Sequence, residues 1–183
     1  MHTQQRARYG SMLILLHWLM LVLIVAVYTC IELRVLYPKG SDIREALKTW
    51  HFMLGLSIFA LVWLRLFARS LGPLPPILPR PPRWQRFGAL ALELAIYVFM
   101  IATPVLGWLV LSAGGDPVPF FGLQLPALIG ENRALAGQIE EIHETLGNVG
   151  YFLIGAHAVA ALAHHYVYRD NTLVRMLPSR ARR

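Results

Sequence analysis

The sequence predicts an all-α integral membrane protein, a four-helix bundle with both termini in the cytoplasm, on three observations. The first is composition: 56% of the 183 residues are hydrophobic and 15% are charged, with a mean hydropathy of +0.51, too apolar for an ordinary water-soluble domain. The second is a set of four apolar segments, each close to the roughly 20 helical residues that cross about 30 Å of hydrocarbon. The third is the way basic residues divide between the connections. No internal repeat or second compositional regime splits the chain, so residues 1–183 read as one domain.

The segments run from about Met12 to Ile31, Trp50 to Ala68, Phe87 to Leu111 and Ile142 to Tyr168. The first spans a bilayer and no small-residue cleavage site follows it, so it is expected to remain as a helix. Pro38-Lys39-Gly40 breaks the first connection, and Gly72, Pro73, Pro75, Pro76, Pro79, Pro81 and Pro82 make the second a stiff, non-helical strap. The third connection, Ser112 to Glu141, joins turn residues to the apolar run Pro119-Phe120-Phe121-Gly122-Leu123, which either lies on the membrane surface or caps the bundle.

Charge orients the bundle. Arg6, Arg8, Arg65, Arg69, Arg80, Arg83, Arg86, Arg169, Arg175, Arg180, Arg182 and Arg183 fall on one side. Arg34, Lys39, Arg44, Lys48 and Arg133 fall on the other. The richer side is expected to face the cytoplasm. The net charge of +7 is then a topology signal with anionic lipid headgroups as its partner, and not a nucleic-acid footprint.

Histidine is costly inside a membrane and marks a ligand, a proton path or an interhelical hydrogen bond. His17 lies near the cytoplasmic end of the first helix, while His51 and His143 open the second and fourth helices on the outer side. His157 follows His143 by fourteen residues, which puts the two on nearly one face about 21 Å apart. The four therefore pair by depth, His51 with His143 and His17 with His157. A haem iron takes two axial nitrogens from opposite sides, which facing helices supply. Gly55, Gly147 and Gly150 follow the outer histidines at four- and seven-residue steps and either leave room for a porphyrin or serve as helix-packing contacts. Zinc for all four is excluded by their separation. Covalent haem is excluded because Cys30 is the sole cysteine.

Other polar residues carry open readings. His164 shares the face of His157 and is either a propionate, proton or quinone contact or, with His165, an interfacial side chain among Tyr166, Tyr168 and Arg169. His2 sits in a polar tail. Glu93 should face the bundle interior, a polar neighbour or water. Pro104 is expected to kink the third helix and free a carbonyl near Met100.

Several motifs carry a resemblance: Leu16-His17-Trp18-Leu19, Trp50-His51, the stretch His143-Glu144-Thr145-Leu146-Gly147-Asn148-Val149-Gly150-Tyr151-Phe152 continuing to Gly155-Ala156-His157 and Ala163-His164-His165-Tyr166, and the Asp170-Asn171-Thr172-Leu173 tail. Over nearly its whole length the chain resembles the bacterial cytochrome b561 family. The resemblance implies a dihaem cytochrome of the bacterial inner membrane with two non-covalent haem b groups, whose axial ligands correspond to His17, His51, His143 and His157. It also implies electron transfer to ubiquinone, in some members with oxidation of superoxide at the outer face.

The basic residues Arg34, Lys39, Arg44 and Lys48 lead into His51 and would steer a small anion, giving a rate that falls as salt rises. Glu32, Asp42 and Glu45 lie in the same stretch and temper that reading. Two other classes stay open: a haem-bearing anchor passing electrons from a separate dehydrogenase or hydrogenase subunit, and a haem-free proton or metal transporter.

Overall fold

The computed structural model describes residues 8–178. His2, Arg6, Arg180, Arg182 and Arg183 lie outside the described residues. Four helices are each long and apolar enough to cross a membrane: α1 (Ser11–Leu33), α2 (Asp42–Ser70), α3 (Arg83–Gly114) and α4 (Arg133–Tyr166). Most of these outrun the apolar segments of the sequence, because hydropathy marks the part of a helix that lies in lipid while capping extends it into polar chain. α2 starts eight residues before Trp50: the Ser41 side chain accepts the Arg44 N–H, and Asp42 and Glu45 complement the positive end of the helix. α4 starts at Arg133 in the same way, with the Asn132 side chain accepting the Leu135 N–H at 3.1 Å. α3 runs through Pro104 and stops at Gly115, whose φ of +76° is the left-handed conformation that ends many helices.

The helical expectation misses one feature. Val118–Phe120 (β1) and Leu123–Leu125 (β2) pair antiparallel, with Val118 opposite Leu125 and Phe120 opposite Leu123. Strands of three residues are too short to show the alternation that identifies a strand in sequence. This hairpin settles on the bundle: Val118 packs with Leu56 and Leu111, flanked by Phe52, Trp108, Phe120 and Leu125.

α1 packs along α2, α2 along α3, and α3 along α4. The bundle core is Met20, Ile58, Val62, Phe99 and Met100. Among the described residues, the backbone of α4 barely approaches α1 or α2, which leaves a slot between α4 and that helix pair. The two ends of the described chain and the second connection share one end of the bundle, here the terminal end. The first and third connections share the other, the loop end. The terminal end is tied by Trp18 Nε1 donating to Met176 O at 2.9 Å and Tyr9 N–H to Arg175 O at 3.2 Å. Asn171 clasps the proline-rich strap, donating its N–H to Leu78 O and accepting the Leu78 N–H on Oδ1 at 2.9 Å.

Candidate functional site

The slot is where the histidines meet. His51 on α2 and His143 on α4 face each other at the loop end with ring centroids 6.1 Å apart. His17 on α1 and His157 on α4 do so toward the terminal end, also at 6.1 Å. A metal–imidazole bond is about 2.0 Å, so two imidazoles bound on opposite sides of one metal ion have centroids roughly 6 Å apart. Both pairs have that spacing. Among the described residues no three His, Cys, Asp or Glu side chains converge as a metal cluster; the histidines come together in twos.

The loop-end pair is oriented by backbone. His51 Nδ1 lies 3.2 Å from Val27 O, and His143 Nδ1 lies 2.9 Å from Thr103 O. A carbonyl only accepts, so each ring carries its proton on Nδ1 and keeps the Nε2 lone pair for a metal. α3, which has no histidine, thus has a positioning role: its Thr103 carbonyl orients His143, and a Cβ on Gly107 would come within 3.2 Å of His143 Cε1. Sequence reasoning missed Gly107 because it lies on a different helix from the ring it makes room for. Beside Pro104, the Thr103 carbonyl is the one that His143 engages.

A cavity of about 730 Å³ surrounds the loop-end pair, lined by His51, Gly55, Gly107, His143 and Gly147 among others. That volume lies within the roughly 300–1,000 Å³ of cofactor and ligand sites. Gly55 and Gly147 have open space where a Cβ would stand, so the slot admits a flat macrocycle there. Gly150 is different. It lies against Tyr28 and Phe99, where a Cβ would come within 2.5 Å of the Phe99 ring, a helix-packing contact and not a cavity wall. The residues present fit haem, with two opposed imidazoles, a predominantly apolar slot and small residues flanking the loop-end rings.

The remaining residues singled out in the sequence are placed as follows. Arg34 and Lys48 line the cavity, but so do the carboxylates Glu32, Glu45, Asp116, Glu140 and Glu144. Lys48 is paired with Glu45 at 2.8 Å. Arg44 ties down the first connection, donating to Arg34 O at 3.1 Å and Tyr37 O at 2.9 Å. Lys39 is exposed outside the cavity lining. Glu93 forms a two-pronged ion pair with Arg69. His164 bonds Asp170 Oδ2 at 2.5 Å, while His165 sits edge-on to Tyr166.

The model of the prokaryotic cytochrome b561 family matches residues 8–179. The chain belongs to that family. Cytochrome b561 homolog 1 of Escherichia coli (strain K12) is 37% identical over 173 residues, covering 94% of this chain and 98% of the relative. The probable superoxide oxidase CybB of Yersinia pestis is also 37% identical, over 94% of this chain and 97% of its own. Cytochrome b561 homolog 2 of E. coli (strain K12) is 27% identical over 96% and 94%. A member of this family with four spans is a bacterial multi-pass membrane protein, and family membership implies haem b.

Proposed function

We propose that this cytochrome b561 is a single transmembrane domain that holds two haem b groups and transfers electrons to ubiquinone, with superoxide as the donor at the outer face. The observation that carries this reading is the pair of histidine pairs: equal ring spacing, two depths, one slot. His51 and His143 hold one haem and His17 and His157 the other. Bound haem b supplies one-electron exchange at its iron. The overall reaction balances as two superoxide anions releasing two electrons and leaving as dioxygen, while ubiquinone takes those electrons and two protons to become the quinol.

The chain's own contributions are binding, orientation and exclusion of water. Val27 and Thr103 carbonyls set the loop-end imidazoles, and Gly107 allows His143 its position. Arg34 lines the cavity within electrostatic reach of His51 and is the cation best placed to meet a small anion. The relative named probable superoxide oxidase supports superoxide as donor. The division of basic residues along the sequence, twelve in the terminal segments and around the second connection against five in the first and third connections, supports cytoplasmic termini, with the loop end outside.

A reduced-minus-oxidised spectrum with a haem count tests the first half, two haems per chain being expected. Mixing pulsed superoxide with the oxidised cytochrome and ubiquinone tests the second. No haem reduction above the buffer control overturns superoxide as the donor. A stoichiometric dehydrogenase or hydrogenase retained on mild solubilisation would then identify the protein as an electron-transfer anchor.

A further inference from the structure

The β-hairpin of the third connection has a turn that its local sequence does not favour. Phe121 and Gly122 are its two central residues, with φ of +46° and +86°. Positive φ at both positions is the two-residue hairpin turn that selects Asn-Gly or Asp-Gly. An aromatic residue adopts that conformation only at an energetic cost. Phe121 gains little burial in return, since it is 55% exposed, and neighbouring Leu123 is 66% exposed.

The hairpin is amphipathic. Val118, Phe120, Leu123 and Leu125 share one face by cross-strand pairing, and three of them pack onto Leu56, Trp108 and Leu111. Pro119 and Gln124 share the opposite face. The turn also reaches down beside α2. Phe121 N–H donates to Met53 Sδ at 3.3 Å, and its ring meets the half-exposed Trp50 edge-on with centroids 6.2 Å apart. Met53 lies two residues past His51, inside the apolar stretch of α2. The turn therefore stands at the depth of the loop-end histidine pair, beside a tryptophan placed as interfacial anchors are.

We propose that this hairpin is a membrane-contacting element whose turn, through Phe121 and Leu123, enters the lipid at the headgroup–acyl boundary, with Gln124 turned toward water. Lipid explains the features that water does not. Exposed aromatic and aliphatic side chains at the turn are favourable there, and a backbone N–H lowered into the bilayer needs an acceptor from the protein, which the Met53 thioether provides. Because Val118 also lines the small cavity next to His51 and His143, the anchored hairpin forms the lipid-side wall of the loop-end site.

The test is a depth measurement in phosphatidylcholine–phosphatidylglycerol vesicles. Cys30→Ser removes the native thiol, and a nitroxide is attached at Phe121→Cys or, separately, at Leu123→Cys. Lys39→Cys serves as the water reference and Phe152→Cys, on the exposed face of α4, as the lipid reference. At both hairpin positions collisions with dissolved oxygen are expected to exceed those with a water-soluble nickel chelate, as at 152 and opposite to 39. A profile like that at 39 overturns the proposal. Low accessibility to both reagents also overturns it, by showing that a second copy or another protein covers the turn. An unchanged haem absorption spectrum in each labelled variant identifies the samples that retain the native fold.

Discussion

At the scale of single residues, the two histidine pairs share a spacing but differ in support. His51 and His143 each have Nδ1 committed to a backbone carbonyl, whereas among the described residues no such bond is found for His17 or His157. A backbone carbonyl bonded to the ring nitrogen that does not face the metal fixes the tautomer and ring orientation of a histidine ligand. On the proposed dihaem reading, replacing His51 or His143 with Ala is expected to remove the loop-end haem and spare the other; replacing His17 or His157 should do the reverse. Haem content and the split of the reduced α-band read this directly. If His157→Ala retained both haems while His164→Ala lost one, the ligand assignment at the terminal end would be wrong. Gly107→Ala is a subtler probe. Its new methyl group, 3.2 Å from His143 Cε1, should tilt that ring, changing the loop-end haem's low-spin electron paramagnetic resonance signal while leaving the other signal unchanged.

Among the elements, α4 divides its glycines between two tasks. Gly147 borders the cavity, while Gly150 lets α4 close on Tyr28 of α1 and Phe99 of α3. Tyr28 secures the approach by donating its hydroxyl to Gly147 O at 2.7 Å. Gly150→Ala therefore overpacks this contact and is expected to cost about 1–3 kcal/mol, seen as a lower Tm, whereas Gly147→Ala should act on haem binding instead. The C-terminal turn supplies a pH-dependent contact. Burial pushes the Asp170 carboxyl upward, but the bonds from Thr172 N–H at 2.8 Å and from His164 outweigh it and hold the group below the usual carboxylate range. A carboxylate depressed in the folded state contributes stability above its unfolded pKa of about 3.9 and loses it as pH falls through the lower folded value. Trypsin cleavage at Arg169 or Arg175 should thus rise as pH is lowered below about 4 in a brief pre-incubation, and Asp170→Asn should show the same exposure at neutral pH.

Over the whole molecule, charge governs approach to the loop end. The first connection by itself is mildly basic, with Glu32, Asp42 and Glu45 set among Arg34, Lys39, Arg44 and Lys48. The folded cavity wall sets five carboxylates against Arg34 and Lys48, with Lys48 already paired to Glu45, because the third connection contributes Asp116 and α4 contributes Glu140 and Glu144, acids that lie far from that loop in the sequence. Screening weakens repulsion as it weakens attraction. The rate of haem reduction by superoxide is therefore expected to rise modestly with salt, and not to fall. Arg34→Gln should slow it several-fold without loss of haem, whereas Lys39→Gln should have little effect. Stopped-flow reduction at increasing ionic strength checks both; a steep fall with salt would restore steering by the first connection.

Hydropathy and charge alone determined the four spans, the depth pairing of the histidines and the bias between the two ends, because these depend on length, composition and helical period along one chain. The motifs around His143 and His157 were also legible in this way. Only the tertiary structure decided which glycine borders the cavity and which packs against Tyr28, that Thr103 and Gly107 of a histidine-free helix position His143, that Glu93 pairs with Arg69, and that a strained hairpin sits beside Met53. Each of these is a contact between distant segments, and its geometry follows from how the helices pack, which local periodicity does not encode.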